Sequence, residues 1–205
     1  MFAVIFEVQP RQDKRDGYFD VARVLRPELE QIEGFLENTR YRSLGRDGLL
    51  LSLSLWRDEK AVIRWRTHAA HFAGQARGRA EILAGYRLRV GEVAAMSEHG
   101  RPRVMPAQRL DETEAGDARA VVVRLGREAG CGSNEGFTTA IATDRFEGVV
   151  DAADRATMAS FGTMAEAETA MAADTSPDRQ LAVRVIRDYG LMDRREAPQF
   201  HKPVR

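Results

Sequence analysis

The chain has 205 residues, one cysteine and a formal net charge of zero, with 31 cationic and 31 anionic side chains. Zero net charge gives no whole-chain attraction for nucleic acid or an anionic membrane. No apolar run approaches the roughly 20 residues of a spanning helix, and a lone cysteine excludes an internal disulfide and fits a reducing cytoplasm. The length suits one large or two small domains with a real core.

Phe2 to Val8 reads as a strand. The opening MFAVIFEVQP has no basic region before its apolar run and no small-residue cleavage site, so it reads as a strand and not a signal peptide. Gln9 to Asp16 is a polar turn. Tyr18, Val21, Ala22, Leu25, Leu29 and Ile32 recur at helical spacing and predict a helix over Gly17 to Ile32, with Gly34 as the breaker. Phe35 to Leu44 is a second strand, on which Arg40 and Tyr41 take opposite faces. Asp47-Gly48 marks a tight hairpin turn. Leu49 to Trp56 alternates leucine with serine, the period of a half-buried strand. Asp58-Glu59 favours a helix start, and Ala61, Val62, Trp65, Ala69 and Phe72 carry one helix onward. Tyr86 to Ala94 is a fourth strand. The order βαββαβ over residues 1–96 is a ferredoxin-like unit.

Residues 97–117, with Gly100, Pro102, Pro106 and Gly116, read as a linker. The pattern then partly returns over residues 118–192. Arg119 to Leu125 resembles Phe2 to Val8, Glu135-Gly136-Phe137 echoes Glu33-Gly34-Phe35, and Leu181 to Tyr189 is a last strand. Thr157 to Met171 echoes Leu51 to Trp65 at a constant offset of 106, which pairs Ser54 with Ser160 and Trp65 with Met171. The second half is too short for a full first helix. Residues 193–205 read as a tail, and Ala197 to Arg205, with Pro198 and Pro203, as an arm or a disordered end. The expected fold is α+β: two ferredoxin-like halves in one chain, the second degenerate, forming a pseudo-dimer whose sheets pack face to face.

FAVIFEVQP, then EGF, then LSLSLWRDEKAVIRWRTHAAHFAGQARGR and YRLRVGEV together resemble the antibiotic biosynthesis monooxygenase superfamily over residues 2–94. The resemblance implies a dimeric α+β barrel, here closed within one chain, so the chain is expected to be a monomer or a homodimer. It also implies cofactor-independent oxygenation of a planar aromatic or polyketide-like molecule. A haem-degrading branch places an Asn on the first strand, a Trp on the second helix and a His some ten residues later. Trp65 matches that Trp, but Glu7 lies near the Asn position and Gln75 stands where the His would be, so haem is disfavoured and no cofactor is expected. A non-catalytic binding or stress-related protein and a haem-binding protein are the rival readings.

Cofactor-free oxygenation needs a base, a positive group near an oxyanion and a dry pocket. The expected base is His71 or His68, the charge stabiliser Arg66, and the substrate-binding set Trp65, Phe72, Tyr41 and Gln75. His68 and His71 share a helix face at a spacing of three, but no Asp, Glu or Cys in register completes a metal shell, so no metal is expected. Arg77 and Arg79 read as a solvated face. The glycine-rich GREAGCGSNEG loop around Cys131 lacks both nucleotide-binding fingerprints.

Overall fold

A computed structural model of the protein describes residues 1–127 and 136–198; Cys131 and Glu135 lie outside them. The elements run β1 (Phe2–Pro10), α1 (Arg15–Glu30), β2 (Phe35–Ser43), β3 (Leu50–Trp56), α2 (Glu59–Thr67), α3 (Ala69–Arg77), β4 (Leu83–Glu98), β5 (Arg101–Val104), β6 (Ala120–Arg127), β7 (Ala142–Gly148), β8 (Asp154–Phe161), α4 (Met164–Ala173) and β9 (Arg179–Gly190). In the first half the strands lie in the order β4-β1-β3-β2, and in the second β9-β6-β8-β7, all neighbours antiparallel. The two sheets do not merely face each other. They hydrogen-bond along two seams, β2 to β7 and β4 to β9, and close into one eight-stranded barrel.

Strand alternation sorts the side chains. Ala3, Ile5, Leu51, Leu53, Leu55, Val121, Val123, Met158, Leu181 and Val183 fill the barrel interior. Phe2, Val4, Phe6 and Trp56 point outward to α1 and α2, and Val122, Ala159 and Phe161 outward to α4. Removing this much apolar surface from water supplies the main driving force, about 25 cal/mol per Å². The seams need close approach: a Cβ on Gly91 would lie 2.4 Å from the Arg184 carbonyl oxygen of β9.

Four expectations need correction. The pairings Phe2 to Trp56 and Ala120 to Phe161 make Trp56 and Phe161 equivalent. The helix caps agree, since Asp58 accepts from the Ala61 amide and Thr163 from the Glu166 amide. The repeat is therefore offset by 105 and not 106. Ser54 corresponds to Ala159, Trp65 to Ala170. A slip of one residue exchanges the two faces of a strand, and Ser160 does lie on the interior face. Second, the helix expected beyond Asp58 is broken at His68, whose backbone is extended (φ −61°, ψ 131°). His68 and His71 thus do not share one helical face. Third, two strands were not foreseen. In β7 only Phe146 and Gly148 are buried, so its sequence shows no alternation, and β5 is exposed throughout. Fourth, the linker and the described part of the arm, through residue 198, are hydrogen-bonded to the barrel. Thr113 N–H donates to the Val185 carbonyl (2.8 Å), and the Glu196 carboxylate accepts from the amides of Glu114 (2.7 Å), Ala115 (3.1 Å) and Asp188 (2.7 Å). No helix stands between Gly136 and β7.

Candidate functional site

The two halves differ in how tightly helices seal the sheet. On the helix side of the second half Val122, Arg124 and Thr157 are 0% exposed and Gln180 1%. Their first-half counterparts Val4, Phe6, Ser52 and Leu88 keep accessible surface, although β1 and β3 are central strands. Solvent therefore touches the first-half sheet on the face covered by α1 and α2–α3, along a strip that we name the crevice. The register fixes its floor. Arg40, Ser52, Phe6, Leu88 and Tyr189 form one cross-strand row from β2 to β9, roughly 19 Å long at about 4.8 Å per strand. The matching second-half position to Phe6 is Arg124, which is fully buried and pairs with Asp174 (3.2 Å) over the Phe137 ring. That arginine and the Ala170 that replaces Trp65 fill the equivalent space.

Trp65 of α2 and His71 of α3 pack against each other in the roof. Their rings stack at 4.2 Å and 11°. His71 Nδ1 is 2.8 Å from the Trp65 carbonyl oxygen, an acceptor only, so Nδ1 carries the proton and Nε2 the lone pair. No hydrogen bond to Nε2 is found among the described residues. Burial pushes the His71 imidazole down to about 4, so it stays neutral at neutral pH. Gln75 Nε2 lies 3.2 Å from His71 Nδ1 and 3.4 Å from the Arg66 carbonyl. With Nδ1 protonated the hydrogen bond is the second contact, in which Gln75 Nε2 donates to the Arg66 carbonyl and ties α3 to the end of α2.

His68 sits at the joint between α2 and α3. Its ring lies 5.7 Å from Trp65, its Nε2 is 3.7 Å from Glu28 of α1, and its buried Nδ1 has no partner. The positive charge of Arg66, with those of Arg194 and Arg187, partly offsets the upward push of burial on the Tyr189 phenol at the β9 end of the row. Phe72 is partly buried on α3, a helix with no fully buried residue. Tyr41 does not belong to this set. It points into the barrel, 5% exposed, and burial raises its hydroxyl to about 12. Residues 40 and 41 alternate, so the crevice receives Arg40. Sequence reading missed that row because it becomes visible only when four strands are laid in register.

A second cleft of about 220 Å³ opens at the barrel mouth, lined by Glu7, Arg46, Arg87, Arg89, Asp144 and Ser160. Its charges are already paired: Glu7 with Arg89 (2.6 Å) and Arg46 (2.7 Å), Arg46 with Asp144 (2.6 Å), and Arg87 with Asp188 (2.5 Å). The arginines hold the Glu7 carboxyl below its ordinary range against the opposing effect of burial, the largest influence on it. Glu7 thus serves the barrel and is absent from the crevice. Among the described residues no cluster of three His, Cys, Asp or Glu could hold a metal, and no helix is long and apolar enough to cross a membrane.

The family model for antibiotic biosynthesis monooxygenases matches residues 1–77, ending at the last residue of α3. A Pyricularia oryzae protein named Jasmonate monooxygenase ABM is 42% identical over an alignment of 219 residues that covers 100% of both chains. The chain belongs to the antibiotic biosynthesis monooxygenase family. The family model spans the elements carrying Trp65, His68 and His71, and the full-length relative extends the likeness through the second half. Among solved structures, a Fusobacterium nucleatum protein is 10% identical over 91% of this chain and 93% of its own, with a TM-score of 0.43. Rv0793 from Mycobacterium tuberculosis is 21% identical over 43% of this chain and 90% of its own, with a TM-score of 0.40.

Proposed function

We propose that this antibiotic biosynthesis monooxygenase family member oxygenates a small, largely apolar molecule in the first-half crevice, without a bound cofactor. The observation that carries this reading is the Trp65–His71 stack at 4.2 Å, with Nδ1 held by the Trp65 carbonyl and Nε2 left as a lone pair. The indole face on that side is covered, which favours a compact apolar substrate over a broad planar aromatic. The Pyricularia oryzae relative's name points the same way, so jasmonate is the first substrate to test.

The chemistry closes without an added reductant when a methylene group beside a carbonyl is oxidised: the methylene and one molecule of O2 give a second carbonyl and one molecule of water. A proton leaves the carbon, the resulting enolate passes electrons to O2, one oxygen atom stays on carbon and the other leaves as water with the two methylene hydrogens. His71 is unprotonated at neutral pH but weakly basic, so proton removal needs the developing oxyanion to be stabilised as well. Arg66, at the β9 end of the row, is the cation we assign to that task. Trp65 walls the crevice. No step is routed through haem, because Glu7 faces the barrel interior and Gln75 replaces the expected histidine. The test is oxygen uptake with purified protein and jasmonate, without flavin, nicotinamide or metal. One O2 consumed per product, and a His71→Gln variant slower by about 10²-fold or more, is the expected result. Uptake that appears only with an added reductant rules out the cofactor-free mechanism.

A further inference from the structure

We propose that Arg40, with Ser52 beside it, is the anchor for a substrate carboxylate at the β2 end of the crevice. This specificity element rests on the reading of the crevice as the substrate site.

The buried Arg89 and Arg124 and the partly buried Arg184 face carboxylates: Glu7 (2.6 Å), Asp174 (3.2 Å) and Glu92 (2.6 Å) in turn. Arg40 takes part in none of the ion pairs among the described residues; its guanidinium is hydrogen-bonded to the Tyr18 phenol, and its Nε, like those of Arg89 and Arg184, is buried without a hydrogen-bond partner. A buried guanidinium N–H left unbonded is costly unless something satisfies it. Its neighbour is the Tyr18 phenol of α1, a neutral group that burial keeps protonated. Tyr18 itself packs in the apolar cluster of Phe6, Val8, Phe19, Leu50, Tyr86 and Val149.

Ser52, directly across from Arg40, completes the donor set. Its hydroxyl oxygen accepts from Asn38 Nδ2 at 2.9 Å, which leaves the hydroxyl proton free to donate. Two donors, one of them cationic, at the end of an apolar row match one chemical class: an aliphatic or alicyclic acid whose carboxylate meets Arg40 and Ser52 and whose body lies over Phe6 and Leu88. A group anchored there extends along the row toward Trp65, His71 and Arg66. Arg66 is the poorer anchor, since it lies in the last turn of α2, where the helix dipole already favours a cation.

The experiment compares octanoate with methyl octanoate, by quenching of tryptophan fluorescence, on wild type, Arg40→Met, Arg40→Lys and Arg66→Met. Circular dichroism and unfolding midpoints confirm that each variant is folded. Wild type should bind the acid at least about tenfold more tightly than the ester, as expected for a charge-assisted pair. Arg40→Met should abolish the preference, Arg40→Lys should retain part of it, and Arg66→Met should retain it in full. No preference in wild type, a preference that survives Arg40→Met, or one lost in Arg66→Met would overturn the assignment. Oxygen uptake on the same preparations separates the two levels. Acid preference that depends on Arg40, with no oxygenation of any substrate, sinks the monooxygenase mechanism and leaves the anchor standing.

Discussion

The buried state of His71 makes a prediction about stability and pH. The folded protein holds the imidazole neutral, with its protonation midpoint depressed from 6.5 to about 4 by burial. Below pH 6.5 the unfolded chain therefore binds the proton first. The contribution of this group is complete above pH 6.5 and is lost as the pH falls toward 4. At about 1.4 kcal/mol per unit, the full loss is at most about 3.5 kcal/mol, of which about 2 kcal/mol is gone by pH 5. The residue keeps some solvent exposure, so these are upper figures. His71→Gln is neutral at every pH and serves as the reference. The chain's other three histidines are common to both proteins and cancel in the difference. Urea unfolding followed by tryptophan fluorescence at pH 7.5, 6 and 5 should show wild type losing about 1–2 kcal/mol more than the variant on acidification. Equal losses, or a wild type that gains stability in acid relative to the variant, would show that His71 is not held as a desolvated neutral base.

Trp65→Ala should weaken ligand binding beyond its folding cost of about 3–5 kcal/mol, whereas Met171→Ala, packed with Ala95 and Ala182 in the second half, should cost about 2–5 kcal/mol and leave binding unchanged; equal loss of binding in both would place the site elsewhere. Gly91→Ala should destabilise the β4–β9 seam by at least about 1–3 kcal/mol, because its Cβ meets the Arg184 backbone oxygen, and a neutral effect in thermal unfolding would contradict the seam geometry. Thr163→Ala should cost about 1 kcal/mol by removing the capping box of α4, read by the same unfolding curves. The barrel closes within one chain, so light scattering at low concentration should give a monomer; an obligate dimer would show that closure needs a partner.

Much of the first half was legible because alternation is strong there. LSLSL and FAVIFEV state their two faces outright, and the barrel follows from placing one face inside and the other under helices. β7 was not legible, since ATDRFEG buries two residues and takes its strand geometry from β2 and β8. The one-residue error in the repeat came from matching Ser54 with Ser160 by identity, when the cross-strand partners make Ala159 the equivalent. At the site, Trp65 and His71 were visible as residues, but their stacking depends on the break at His68, which no Gly or Pro announces. Tyr41 was placed on the wrong side for the same reason that Arg40 was passed over: alternation separates the two faces, and only tertiary packing says which one looks toward the helices.

The central claim is a single ligand site between the first-half sheet and α2–α3. Its most direct test is a crystal of the protein soaked with 8-bromooctanoate, with the bromine located by anomalous scattering. One peak per chain beside Trp65, with the carboxylate toward Arg40, is the predicted result. A peak inside the barrel mouth near Glu7 and Arg89, or beneath α4 in the second half, would contradict the account.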